Sequence, residues 1–108
     1  MTTDNGAPAT VRFTAALVQV PGGLGTFVFI PDHAVTAVRA RGRTSVAGTI
    51  DGRPFRNQFM PYDFEGQGKR YAMAVNKTVR AEIGGKGPGD TVEFVLRRDD
   101  RPRGSGRT

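Results

Sequence analysis

The side chains with the greatest chemical potential are few in this sequence. There is one histidine, His33, and no cysteine. Without cysteine there are no disulfides, thiolate zinc sites or thiol nucleophile. A lone His33 makes a poor metal site, and no carboxylate at a telling spacing would orient it as a general base. It reads as a surface residue just inside a helix start. No catalytic residue, metal or cofactor is assigned, and the reading leans away from an enzyme.

Two polar groupings could still bind a ligand. Asn76, Lys77 and Arg80 fall at the start of a short helical stretch, where free amides and two cations suit a carboxylate or phosphate. Their plainer use is a cap, a solvated lysine, and an arginine paired with Glu82, Asp90 or a carbonyl. Asn57 alternates with Phe55 and Phe59 and is expected to face inward, as is Gly48 beside Val46 and Ile50. A buried amide needs partners, so Asn57 marks either a pocket or a backbone group to be satisfied. Asn57, Asn76, Lys77 and Arg80 are therefore the candidate ligand-binding residues, for a small molecule or protein of unknown identity. Asp90 reads as structural, its carboxylate accepting turn amides.

The cations offer the alternative of nucleic acid. Net charge is +6, from 16 Lys and Arg against 10 Asp and Glu. Arg39, Arg41 and Arg43 alternate around Gly42, and Lys69, Arg70 and Lys86 could extend a basic surface. Arg97, Arg98, Arg101 and Arg103 add a basic C-terminus. Phosphate contact requires such charges and little special geometry. Aromatic residues in loops, needed to stack single-stranded bases, are scarce: Tyr62 and Phe64. The Gly-rich runs at Gly22–Gly25 and Gly84–Gly87 match neither a phosphate-loop nor a dinucleotide fingerprint and read as turns.

The elements that must position these residues are short. Glycine (15) and proline (7) are abundant over 108 residues, which favours turns and strands over long helices in one domain. Residues 10–20 alternate, with Val11, Phe13, Ala15 and Leu17 on one face. Further strands are expected over 26–30, 44–50, 53–60, 69–75 and 91–97. Asp51-Gly52 is a strong hairpin turn, and Pro61 is expected to end its strand. Two short helices follow Asp32 and Asn76 as expected N-caps, and end near Gly42 and Gly84. Residues 1–9 read as a disordered N-terminus, 10–98 as a single domain and 99–108 as a basic flexible tail. No apolar run is long enough for a membrane span and no signal-like stretch opens the chain, so a cytoplasmic location is expected.

The two halves echo each other at a spacing of 45 residues. Ile30 falls with Val75, Ala34 with Val79, Val38 with Ile83 and Gly42 with Gly87. One inserted residue then aligns Val46 with Val92 and Ile50 with Leu96. This internal strand–helix–strand duplication suits an all-β, closed six-stranded β-barrel with two short helices, in which one chain closes its own barrel as a monomer.

The stretches "VRFTAAL", "FVFIPDHAV", "VAGTIDGRPF", "YAMAVNKTVRAEIG" and "GDTVEFVLRRDDRPR" together resemble a small bacterial family, domain of unknown function 1905, over roughly residues 10–103. The resemblance implies a small closed β-barrel. Family members often carry Trp just before the second strand, where Thr26 or Phe27 stands here. The expected function is a non-enzymatic ligand- or protein-binding module, with nucleic-acid binding as the alternative.

Overall fold

The computed structural model describes residues 10–19, 25–63 and 69–99. In chain order the elements are β1 (Thr10–Ala16), β2 (Val18–Gln19), β3 (Thr26–Phe29), α1 (Asp32–Ala37), β4 (Thr44–Ile50), β5 (Arg53–Asp63), β6 (Lys69–Ala74), α2 (Lys77–Glu82) and β7 (Thr91–Arg98). The strands form one seven-stranded sheet in the order β1-β7-β4-β5-β6-β3-β2, and every neighbouring pair is antiparallel.

The fold is all-β, but it is an open half-barrel and not the closed six-stranded barrel anticipated from the repeat. The difference begins at Leu17. Its N–H donates to Asp90 O and its carbonyl accepts from Gly89 N, both at 2.8 Å. The expected single strand therefore breaks into β1, which pairs with β7, and β2, which pairs with β3. These two pieces are the two edges of the sheet, and no ladder joins them among the described residues. Helix α1 packs beside the β1 edge, burying Ala34 and Val38 completely or nearly so.

Two local expectations also change. Pro31, not Asp32, is the N-cap of α1, and no side chain caps that helix. Proline holds extended backbone there and leaves Asp32 as the first helical residue. Strand β5 continues through Pro61 to Asp63. It pairs with β4 only as far as Phe59 and with β6 from Met60 onward. Beyond Phe59 the strand has one described neighbour, the edge-like setting in which proline is tolerated.

The two halves pair with each other. Val28 lies opposite Met73, 45 residues on, at the centre of the β3–β6 ladder. That ladder is flanked by Ile30 N to Tyr71 O and Val75 N to Thr26 O, each 2.9 Å, which are 45-residue images of one another. In the β4–β7 ladder Thr49 pairs with Val95, 46 residues on, and its neighbours Gly48–Leu96 and Ile50–Phe94 are 46-residue images of one another. A pseudo-two-fold thus relates β3-α1-β4 to β6-α2-β7. It puts the α1–β4 loop at one end of the half-barrel and the α2–β7 loop at the other.

The core sits inside the curl, built by the alternation of each strand. Val46, Ile50, Phe59, Phe94, Leu96, Val28 and Val75 are wholly buried. Each such side chain contributes about 2 kcal/mol of apolar burial. Phe13 lies opposite Phe94 and stacks on it, with centroids 5.1 Å apart, and Phe55 meets Phe94 at 5.8 Å. No helix among the described residues is long and apolar enough to cross a membrane.

Candidate functional site

The polar residues singled out for ligand binding gather around the end of β6 and the start of α2, and they are largely engaged with the backbone. Asn57 lies on β5 opposite Val46, two residues before the pairing with β4 ends. Its Nδ2 donates to Ala74 O at 2.6 Å, and its Oδ1 accepts from Gln58 N at 2.8 Å. It ties the end of β6 to β5, the backbone-satisfying use of an inward amide. Asn76 is the N-cap of α2, its side chain accepting from Val79 N at 2.8 Å. Arg80 is half-buried and reaches Val75 O at 3.3 Å and Lys86 O at 3.4 Å. Lys77 remains exposed.

The other titratable candidates are also accounted for. His33 is exposed, 3.3 Å from Arg12 O, with its ring edge-on to Phe13. Asp90 accepts from Gly87 N at 2.9 Å, closing the Gly-rich turn. Asp51 is the busiest carboxylate. It accepts from Lys86 Nζ at 2.6 Å and from Glu93 N at 2.8 Å. Partial burial works against its charge, but these hydrogen bonds and the Lys86 ammonium outweigh burial and lower its pKa. This staple joins the β4–β5 turn to the α2–β7 loop, and neither motif nor periodicity announces it, since its partners are 35 residues apart. Among the described residues no group of three carboxylates or histidines could hold a metal ion.

The arginines behave differently. Arg39, Arg41 and Arg43 are exposed on the α1–β4 loop. No ion pair among the described residues involves any of them. The loop is pinned by Thr44, whose hydroxyl accepts from Arg41 N at 2.8 Å and lies 3.1 Å from Arg41 O. The end of β7 brings two more guanidinium groups to the same place. Arg98 Nη1 donates to Arg39 O at 3.1 Å, and Arg97 Nη1 reaches Ala47 O at 3.4 Å. Arg56 faces Ala47 from the other side in register, and pairs at 2.8 Å with Asp99, whose side chain is only 2% exposed. Beside Arg97 a groove of about 120 Å³ runs along Thr10, Ala47, Gly48 and Thr49.

Five of the predicted basic residues are therefore brought to one end: Arg39, Arg41, Arg43, Arg97 and Arg98. Asp51, Glu82, Asp90 and Glu93 belong to the opposite end, around the β4–β5 turn and the α2–β7 loop, whereas Asp99 lies at the basic end, buried and paired with Arg56. Arg70 is not part of the cluster. It lies on β6, two strands from β4, with its guanidinium 4.0 Å over the Phe29 ring. Lys69 opens β6, but its side chain lies outside the described residues, as do Arg101, Arg103 and Phe64. Lys86 is taken up by Asp51 at the other end. Tyr62 is the one large apolar side chain exposed among the described residues.

Architecture and surface together define a small seven-stranded half-barrel with a pseudo-two-fold and one basic end. The family follows from sequence. A family model described as "Domain of unknown function (DUF1905)" matches residues 13–96, and the chain belongs to this family. No curated protein matches the chain.

Proposed function

We propose that this protein is a non-enzymatic binding module whose contact surface is the basic end, and that its partner is nucleic acid, held through its phosphates. One observation carries the reading: Arg39, Arg41 and Arg43 project from a single pinned loop without an ion pair among the described residues, beside Arg97 and Arg98. Arginines in such number at one end neutralise phosphates and release counterions, which needs no base-reading geometry. A small-molecule site has less support, because Asn57, Asn76 and Arg80 already satisfy backbone groups.

The test is binding to random-sequence duplex DNA, followed by fluorescence anisotropy over a range of salt concentrations. The intact chain is expected to bind with a steep salt dependence. Arg41→Gln with Arg43→Gln should leave the thermal midpoint unchanged and make the log–log salt slope shallower by about 2. Binding that is absent near 50 mM salt, or indifferent to salt, would overturn the reading.

A further inference from the structure

Two described residues other than glycine hold a positive φ: Asp51 at 47° and Arg39 at 54°. Asp51 is explained by its surroundings. Aspartate is among the residues enriched in left-handed backbone, and both its oxygens are engaged, by Glu93 N and Lys86 Nζ. Arg39 has no such explanation. It follows Val38, the C-cap of α1, where the chain turns left-handed so that Ala40 N reaches Val35 O at 3.0 Å.

The same turn ends α2. There Gly85 N reaches Arg80 O at 2.8 Å, and the left-handed residue is Gly84, with φ of 93°. Arg39 and Gly84 stand 45 residues apart, the spacing of Val28 and Met73 in the β3–β6 ladder. One chain therefore makes one turn twice, with the unstrained residue at one end and arginine at the other. No described hydrogen bond or ion pair uses the Arg39 side chain, while its carbonyl is fixed by Arg98. A side chain that neither packs nor pairs within the fold, kept where its backbone is disfavoured, serves a contact outside the fold.

We infer that Arg39 is a direct phosphate contact of the basic end, placed where glycine would hold the backbone without strain, and that the ligand is the sugar-phosphate backbone of a duplex. The inference rests on the nucleic-acid reading and assigns its central residue. Fixing the loop through Thr44 and Arg98 holds three guanidinium groups on a short, rigid base, which lowers the ordering cost of meeting adjacent phosphates. Tyr62 is the one large apolar side chain exposed among the described residues, which speaks for backbone contact over base stacking.

The decisive variant is Arg39→Gly, which relieves the turn and removes the contact together. It is expected to raise the thermal midpoint by about 4 °C. It should also weaken binding to random duplex DNA about fivefold and make the salt slope shallower by about 1. Arg39→Lys should keep the slope without the thermal gain. Arg53→Gln, at the opposite end beside the β4–β5 turn, removes the same charge and should leave the slope intact. If the unaltered chain binds and Arg39→Gly binds equally with the same slope, the assignment of Arg39 fails while the nucleic-acid reading stands. Equal losses from Arg53→Gln would make the effect one of net charge and likewise sink the assignment. An unaltered chain that binds no duplex at all overturns both.

Discussion

The two strand–helix–strand units of this chain share a backbone plan and differ in how they are held. In the second unit, Asn76 caps α2, Gly84 and Gly85 supply the left-handed turn, and Lys86 is clamped by Asp51 and by Thr91 O. In the first unit, α1 begins at an uncapped Pro31, and the turn is made by Arg39. The loop that follows carries three arginines where its counterpart carries glycines and one lysine. Stability at the first end comes instead from burial, since Ala34 is fully and Val38 almost fully enclosed. The second loop is satisfied internally; the first leaves its charges to solvent. The second end is thus tied internally, while the first is the end proposed above for contact.

The halves meet through a tight β4–β7 ladder, and Gly48 is where that can be broken. Gly48 holds φ of 155°, and a Cβ there would fall 1.9 Å from Val95 O, a backbone atom. In the second half the corresponding place is filled by Phe94. Gly48→Val is expected to cost about 3 kcal/mol or more, because no side chain can yield in the way a rotamer can. Urea denaturation followed by circular dichroism would measure it. A cost under about 1 kcal/mol would mean that the strands are less closely apposed than described.

The second unit's clamp is sharpened by pH. The folded-state pKa of Asp51 is lowered, chiefly by hydrogen bonds that overcome partial burial. A depressed carboxylate adds stability above its unfolded pKa and loses it as pH falls through the folded value. Asp51→Asn should therefore cost about 1.5 kcal/mol near neutrality. The unaltered chain should lose more stability than the variant between about pH 5 and pH 2, until the two converge. Parallel stability curves for the two proteins would show that Lys86 and Glu93 N do not hold the ionised form.

What was legible in the sequence follows the range of the interactions. Alternation placed five of the strands, because period-two burial is a local signal: Val92, Phe94 and Leu96 are all buried; a short apolar run placed the strand at Thr26–Phe29. Cap and glycine stop signals located both helices, which begin at Asp32 and Lys77, although the cap of the first is Pro31 and not Asp32. Closure was not legible, because it turns on Leu17 bonding to Gly89 and Asp90, a contact set by packing and not by pattern. Pro61 misled as a strand end because a strand with one neighbour accepts proline. The arginines could be named from the sequence, but not sorted. Only the topology separates Arg39, Arg41 and Arg43 from Arg70, which lies over Phe29, and from Lys86, which Asp51 holds. The strain at Arg39 was invisible for the same reason, since a positive φ acquires meaning only beside Gly84.

The smallest effect tests the claim that the first helix is held by burial and the second by its cap. Helix α2 has no fully buried residue, and its first turn relies on Asn76 Oδ1 accepting from Val79 N. Asn76→Ala should cost about 1 kcal/mol. Asp32→Ala, at the first position of α1, removes only an exposed charge near the helix N-terminus and should cost about 0.3 kcal/mol. Amide hydrogen exchange adds a local readout: Asn76→Ala should speed exchange at Arg80 and Ile83, whose N–H groups donate within this helix, while those of Val38 and Ala40 stay protected. Equal losses from the two variants would show that α1 also depends on its first turn. The two units would then differ in charge alone, and the end proposed for contact would have no distinct means of support.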